Sequence, residues 1–252
     1  MALSRRERRH EETRQEIKQI ARQQMAQNGT ASLSLRGIAA EMGMSAPSLY
    51  NYYASRDDLV TDLLVESWTH QAEALEQASA SCSQQDALSC LIATILAYRE
   101  WAVKHPTEFS LIAGNPIPGY VAPVEQTLPL GRRSTKVLLD LLQRAWDEGL
   151  LHHHPDSYAL KEDAFNGEFM DWCHENRYAL PVINRFLELY AFVQGAIALE
   201  VFGHMPFFLN DPVAFYRAAV GARTGTGMVQ ATITTIPSST TQNPTPKSKP
   251  NV

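Results

Sequence analysis

Little in this chain points to catalysis, export or a bound metal. Its 252 residues include only three cysteines, Cys82, Cys90 and Cys173. The number is odd and no CxxC spacing occurs, so the simplest reading is reduced thiols on helices of a cytosolic protein. No run of eighteen apolar residues marks a membrane span. The opening MALSRRERRHEETRQE lacks the apolar stretch of a secretory signal. GxSxG, P-loop and HExxH patterns are absent, which removes the common sequence signs of a nucleophile elbow, a phosphate cradle or a zinc protease. No cofactor motif is present either. Apolar–polar alternation is confined to ATITTI, residues 231–236, so the chain reads as all-α.

Charge is unevenly spread. Residues 1–56 hold nine Lys/Arg against five acidic residues, a net of +4, while the remainder nets −9, together giving the overall −5. A basic N-terminal quarter on an acidic body suits a protein that meets a polyanion at one end only, although a solvated basic tail would look the same by charge alone. Residues 1–12 are almost all charged and read as a basic flexible arm. At the other end, 225–252 is dominated by Thr, Ser, Pro and Lys and reads as a disordered tail.

Between these ends the 3.6-residue period recurs. A helix is expected over 13–28, with Ile17, Ile20, Ala21 and Met25 on one face and Asn28-Gly29 as its stop. Ser34 caps a short helix over 35–42, Gly43 breaks it, and Ser45 caps the next helix over 46–53, where Pro47 falls in the first turn. Ser55 caps a longer helix with Asp57 and Asp58 in its first turn. Further helices are expected over 84–105, 130–148, 157–175, 181–204 and 211–220, with 114–129 as the main irregular stretch.

The run 34–56 carries the chemistry. A helix–turn–helix holds its second helix proud of the core, and needs a tight turn, a capped second helix and an apolar underside. Gly43, Ser45 and Leu49 supply these. Ala46, Pro47, Ser48, Asn51 and Tyr52 face outward and are small or polar, while Tyr50 and Arg56 have the reach for phosphates.

On these residues, 13–66 resembles the DNA-binding domain of the TetR (tetracycline repressor) family of transcriptional regulators. The matching positions are Ile20, Ala21, Gly29, Ser34, Leu35, Ile38, Ala39, Gly43, Ser45, Leu49, Tyr50, Tyr53, Arg56, Asp58 and Leu59. Tyr53 stands where Phe is usual and Arg56 where Lys is usual, and Arg keeps the charge. The resemblance implies a homodimer binding a palindromic operator in double-stranded DNA, with a three-helix reading domain (13–56) ahead of a helical regulatory and dimerisation domain (57–224). Carried over by position, Ser45, Ala46, Pro47, Ser48, Asn51 and Tyr52 face the groove. Ser34, Tyr50 and Arg56 contact backbone, and Arg14 or nearby basic residues reach phosphates from the first helix. Asn51 is the best candidate for direct base readout. Residues 190–205 are similar to a segment of one TetR subgroup: Gly195, Leu199, Glu200 and Gly203 are kept, with Tyr190 for Trp and Gln194 for His.

The stretch 181–204 is apolar on nearly all faces, so it packs on its own domain and on something else, or is an ordinary central helix. Ala191, Gly195, Ala196 and Ala198 permit close approach, and with 211–220 a two-fold four-helix interface results. Trp68, Tyr98, Trp101, Phe109, Trp146, Phe169, Trp172 and Phe192, with Phe202, are candidates to line a pocket for a small apolar or aromatic effector; the plain alternative for each is core. His152, His153 and His154, with His174 and Cys173, suggest a metal only superficially, since three consecutive side chains diverge, and no metal is expected. The expected function is a ligand-responsive, cytoplasmic DNA-binding regulator, most simply a repressor. The alternatives are a constitutive DNA binder, an activator without an effector, or a helical enzyme carrying a DNA-binding head.

Overall fold

The computed structural model describes residues 4–151 and 159–224, and every regular element among them is helical. The first, α1 (Arg5–Asn28), begins eight residues before the expected start, so the predicted flexible arm is helical from Arg5 on. The reason is a capping box: Ser4 Oγ accepts from the Glu7 backbone N–H, and the Ser4 N–H donates to the Glu7 carboxylate at 2.7 Å. Gly29, at φ +83°, ends the helix.

Helices α2 (Leu35–Glu41) and α3 (Ala46–Leu49) follow, joined at Gly43 with φ +66°, a conformation that an L side chain seldom adopts. α3 is shorter than the expected 46–53; Tyr50 to Tyr52 continue as turns, with the Tyr52 N–H on the Leu49 carbonyl at 2.9 Å. The 26-residue α4 (Arg56–Ser81) then runs out of this head into the body. Ile17, Ala21, Ile38, Leu49, Leu59 and Leu63 are fully buried in one cluster at the head. A second, larger cluster begins at Leu75 and spans the body.

The body comprises α5 (Ala87–Lys104), α6 (Pro106–Ala113), α7 (Val124–Asp147), α8 (Gly167–Glu175), α9 (Leu180–Val201) and α10 (Pro212–Thr224). Two expectations need correction. The irregular stretch ends at residue 123, because α7 tolerates Pro129 near its N-terminus, where Pro123 carbonyl bonds to the Gln126 and Thr127 N–H groups start the helix. The segment expected as one helix over 157–175 contains a short 3-10 turn (Glu162–Ala164) and α8, which starts only where Asn166 caps the Phe169 N–H. The turn His152–His154 and the tail 225–252 lie outside the described residues.

α9 is long and apolar enough to cross a membrane by length and composition, with mean hydropathy 1.3 over its most apolar window. Its Val182, Ile183, Phe186, Leu189, Val193, Ala196 and Ile197 instead fill the body core. Along the opposite side Leu187, Ala191, Gly195 and Leu199 are exposed.

The reading of all cysteines as reduced is also corrected. Cys82 ends α4, the chain turns back, and Cys90 on α5 comes within 5.3 Å of it (Cα to Cα), forming a disulfide; Cys173 stays a free, buried thiol. The turn between two antiparallel helices brings the pair together, a proximity that sequence spacing does not reveal. Closing so short a loop stabilises by about 2.5 kcal/mol in the chain-entropy account. Reduction, or Cys82→Ser with Cys90→Ser, is therefore expected to lower the melting temperature by roughly 5 °C or more, read by calorimetry with and without dithiothreitol; no shift would mean that the bridge is absent in solution.

Candidate DNA-reading surface and regulatory cavity

In the head, Ser34 and Ser45 spend their hydroxyls as helix caps, accepting from the Gly37 and Ser48 N–H groups, each at 3.3 Å. Ser45, Pro47, Tyr50 and Asn51 are exposed on the projecting edge, and Ala46, Ser48 and Tyr52 are half-buried beside them. Leu49 and Tyr53 point inward and anchor the unit. Arg56 is not a free cation: its guanidinium donates to the Leu33 and Ala31 carbonyls at 3.1 and 3.2 Å, tying α4 to the segment ahead of α2.

Arg14 likewise faces inward. Its guanidinium donates to Asp62 at 2.7 Å and lies over the Tyr53 ring, whose hydroxyl donates to the same carboxylate at 2.6 Å. One helical turn on, Lys18 and Arg22 both meet Glu66 at 2.9 Å, and Arg22 also meets the buried Glu108 of α6 at 3.3 Å. Arg14, Lys18 and Arg22 on α1 thus face Asp62 and Glu66 on α4 at matching four-residue intervals. Burial alone would raise both carboxyls. Hydrogen bonds from Tyr53 and Arg14, with the Lys18 charge, overcome this at Asp62, and Lys18 with Arg22 does so at Glu66, so each is held below its ordinary value.

The structure adds residues that the sequence reading did not single out. His10 stacks on Tyr52, ring centroids 4.6 Å apart, and Arg5, Arg6 and Arg9 share the cleft these rings form. The first turns of α1 therefore bring three arginines beside the reading edge. The sign that locates them is the Ser4–Glu7 capping pair, which makes this segment a helix rather than a free arm.

In the body, a cavity of about 440 Å³ opens between α4, α5, α7, α8 and α9. Trp68, Tyr98, Phe169 and Trp172 line it, as expected, and are joined by Gln71, Leu75, Ser134, Leu138 and Tyr190. Five expected aromatics do not reach it: Phe202 is exposed at the end of α9, and the other four fill gaps between helices elsewhere. Trp101 is buried in the core, Phe109 packs near Phe202, Trp146 flanks the core, and Phe192 lies between Phe215 and Arg223. Several of the cavity's polar groups are paired: Ser134 Oγ donates to Gln71 Oε1 at 2.7 Å, Tyr98 to Gln194 Oε1 at 2.6 Å, and Gln194 Nε2 to the Tyr190 hydroxyl at 3.0 Å. At the rim, Arg132 pairs with Glu168 at 2.9 Å and stacks near Trp172. Burial first, and then the neighbouring Tyr190, raise the Tyr98 phenol well above its ordinary range, so it stays neutral.

Head and cavity share two connections. α4 buries Leu59, Val60 and Leu63 in the head and turns Trp68, Gln71 and Leu75 to the cavity. The segment between α6 and α7 inserts Ile117 into the head core and pairs Tyr120 with Thr61 at 2.9 Å; it leads directly into Val124, Thr127 and Leu128 of the cavity wall.

No cluster of three or more metal-ligating side chains occurs among the described residues. His174 meets Glu162 at 3.3 Å, and burial pushes the neighbouring Cys173 thiol up to about 11.

A helix–turn–helix head joined through one long helix to a cavity-bearing helical body defines a DNA-binding regulator. Comparison with known proteins agrees. Residues 18–63 match the family described as bacterial regulatory proteins, tetR family, and residues 91–222 match the tetracyclin repressor-like C-terminal domain. HTH-type transcriptional regulators from Mycobacterium tuberculosis and Mycobacterium bovis are 31% identical over 213 residues, covering 82% of this chain and 89% of theirs. The crystal structure of SCO4313 is 29% identical with a TM-score of 0.68, covering 88% of this chain and 100% of that one. PfmR, a TetR family transcriptional regulator from Thermus thermophilus, shares the fold at 14% identity, with a TM-score of 0.56 over 83% of this chain and 97% of its own. The chain belongs to the TetR family of transcriptional regulators; it is a DNA-binding regulator and not an enzyme.

The carboxylates of the α1–α4 seam set a pH dependence. Their folded-state values are lowered, so their contribution is complete above the ordinary carboxylate range and is lost as pH falls through it. Thermal stability should be flat near neutrality and fall below about pH 4. Asp62→Asn should cost about 2 kcal/mol at pH 7 and flatten the acid limb, measured by denaturation across pH; an unchanged acid limb would remove Asp62 from the seam.

Proposed function

We propose that the protein is a homodimeric, cytoplasmic repressor that binds a palindromic operator and releases it when a small apolar or aromatic molecule enters the cavity. The observation that carries this reading is the sharing of α4: the helix whose first turns anchor the reading unit lines the cavity with Trp68, Gln71 and Leu75. An occupant that pushes this helix biases the spacing of two heads, and a coupling of one to three kcal/mol is typical of such linkage, about 5- to 150-fold in affinity.

Within the head, residues 13–56, we assign Ser45, Ala46, Pro47, Ser48, Asn51 and Tyr52 to the groove, with Asn51 as the amide able to pair bidentately with adenine. Ser34 and Tyr50 meet the backbone. Arg14 and Arg56 act mainly by holding α1 and α4 in place, with their remaining exposed edges toward phosphate. The regulatory part, 57–224, supplies the dimer. Exposed Leu187, Ala191, Gly195 and Leu199 on α9, with Ala214, Ala218 and Ala222 on α10, make an apolar, small-residue face suited to a two-fold four-helix contact.

Footprinting of the chain's own upstream region should show one protected palindrome, preferred over random DNA by about 10³-fold or more. Sequence-indifferent, steeply salt-dependent binding would instead favour a constitutive DNA binder. Tyr50→Ala should weaken binding to all sequences alike, and unchanged affinity would remove Tyr50 from the phosphate contacts. Leu199→Glu, at a position 46% exposed in the single chain, should shift sedimentation from dimer toward the 28.1 kDa monomer and abolish tight operator binding. A dimer undisturbed by this change would place the interface elsewhere.

A further inference from the structure

Polar groups on the cavity wall form hydrogen-bonded runs with a direction. Ser134 donates to Gln71, Tyr98 donates to Gln194, and Gln194 spends an amide hydrogen on the Tyr190 oxygen. Followed from Tyr98, each link uses a donor of one group on the acceptor of the next, so the run ends at the Tyr190 hydroxyl with its own hydrogen unspent. Tyr190 and Ser134 both line the cavity. These pairs therefore leave Tyr190 O–H as a donor toward the cavity and, on α7, the lone pairs of Ser134 Oγ as acceptors.

No member of these runs carries charge, and the phenol of Tyr98 is kept neutral by its burial. The one cation on the lining, Arg132, is already paired with Glu168. An ionised ligand would lose its hydration and find no unpaired counter-charge, a cost of several kcal/mol. An aromatic hydrocarbon would fit between Trp68, Phe169 and Trp172 but leave the Tyr190 hydroxyl without an acceptor on the ligand.

We infer that the cavity selects an uncharged, mainly aromatic molecule bearing a carbonyl or ether oxygen, which accepts from Tyr190 while its rings lie against Trp68, Phe169 and Trp172. This rests on the cavity being the effector site. Specificity of this kind is set by hydrogen-bond direction rather than by charge: the Tyr98–Gln194–Tyr190 run could reverse only if its members turned together, so it presents a donor at α9, while Ser134 presents acceptors at α7.

Three probes of similar size test it on the full-length protein by calorimetric titration: benzophenone, its hydrocarbon analogue diphenylmethane, and the anion biphenyl-4-carboxylate. Benzophenone should bind about tenfold more tightly than diphenylmethane, the equivalent of one net hydrogen bond, and the carboxylate most weakly of the three. In Tyr190→Phe the ketone should fall to the level of the hydrocarbon, and continued binding of diphenylmethane reports that the variant is folded. Equal affinity of ketone and hydrocarbon in the unaltered protein would overturn the donor assignment, as would a ketone preference that survives Tyr190→Phe. Tightest binding by the carboxylate would overturn the neutral-ligand class. Failure of all three to bind would overturn the effector-site reading beneath it, a result distinguishable from the others because the hydrocarbon then gives no heat.

Discussion

The ladder of charges between α1 and α4 is the constraint on which the rest of the arrangement depends. Three cations spaced four residues apart on α1 face two carboxylates spaced four residues apart on α4, and the buried Glu108 of α6 closes the series at Arg22. Such partly buried pairs contribute little net stability over well-packed apolar side chains, but breaking one is costly. Their effect is to fix register. Sliding α1 by one turn along α4 would leave a cation or a carboxylate half-buried without a partner, so the two helices move together. Because α1 also carries the residues beneath α2 and α3, any displacement of α4 by the body is transmitted to the reading edge as a rigid motion.

In the mechanism we propose, the body delivers that displacement from two sides of one cavity. Trp68 and Gln71 stand on α4 itself, while the opposite wall begins with Val124, Thr127 and Leu128 on α7. The chain just ahead of that wall inserts Ile117 into the head core and pairs Tyr120 with Thr61 on α4. On that proposal, a molecule that spread the walls would push α4 directly and draw on the head through the 114–123 segment. Packed interiors respond to such pressure by switching arrangement rather than deforming smoothly, which lets small shifts at the cavity matter at the DNA.

The head was legible because its signals are local. Ser34, Gly43, Ser45 and Ser55 each fix a helix boundary through their own backbone neighbours, and those boundaries hold in the structure. The start of α1 was missed because a charged, apolar-poor run was weighed by composition, although Ser4 and Glu7 carry the capping signal. Body features depend on contacts distant in sequence and leave fainter marks. Trp68 and Trp101 look alike as apolar aromatics, yet one faces the cavity and the other the core, according to where α4 and α5 cross. Gln71, Ser134 and Gln194 read as ordinary polar residues on helix faces, and only the packing of four helices brings them into hydrogen-bonded runs on the cavity wall. The pairing of Cys82 with Cys90 depends in the same way on the reversal between α4 and α5.

The reading edge itself has few groups able to distinguish bases. Ala46 and Pro47 carry no hydrogen-bonding side chain, and Ser45 and Ser48 bond to each other at 2.7 Å, leaving Asn51 as the principal amide. In the proposed dimer, a head so limited in direct readout would take its specificity from DNA shape and from the separation of two heads. The first turns of α1 fit this economy. Because His10 stacks on Tyr52, the arginines at 5, 6 and 9 are held in fixed relation to the groove-facing residues rather than on a free arm. Cations fixed in this way strengthen binding only where the phosphate path follows their spacing, so they turn a sequence-blind attraction into a test of DNA curvature and groove width. In the proposed mechanism the same rigidity would make the head sensitive to the body: arginines on a flexible tail would keep hold of phosphates after α4 moved, whereas arginines continuous with α1 would leave the backbone when the helix does.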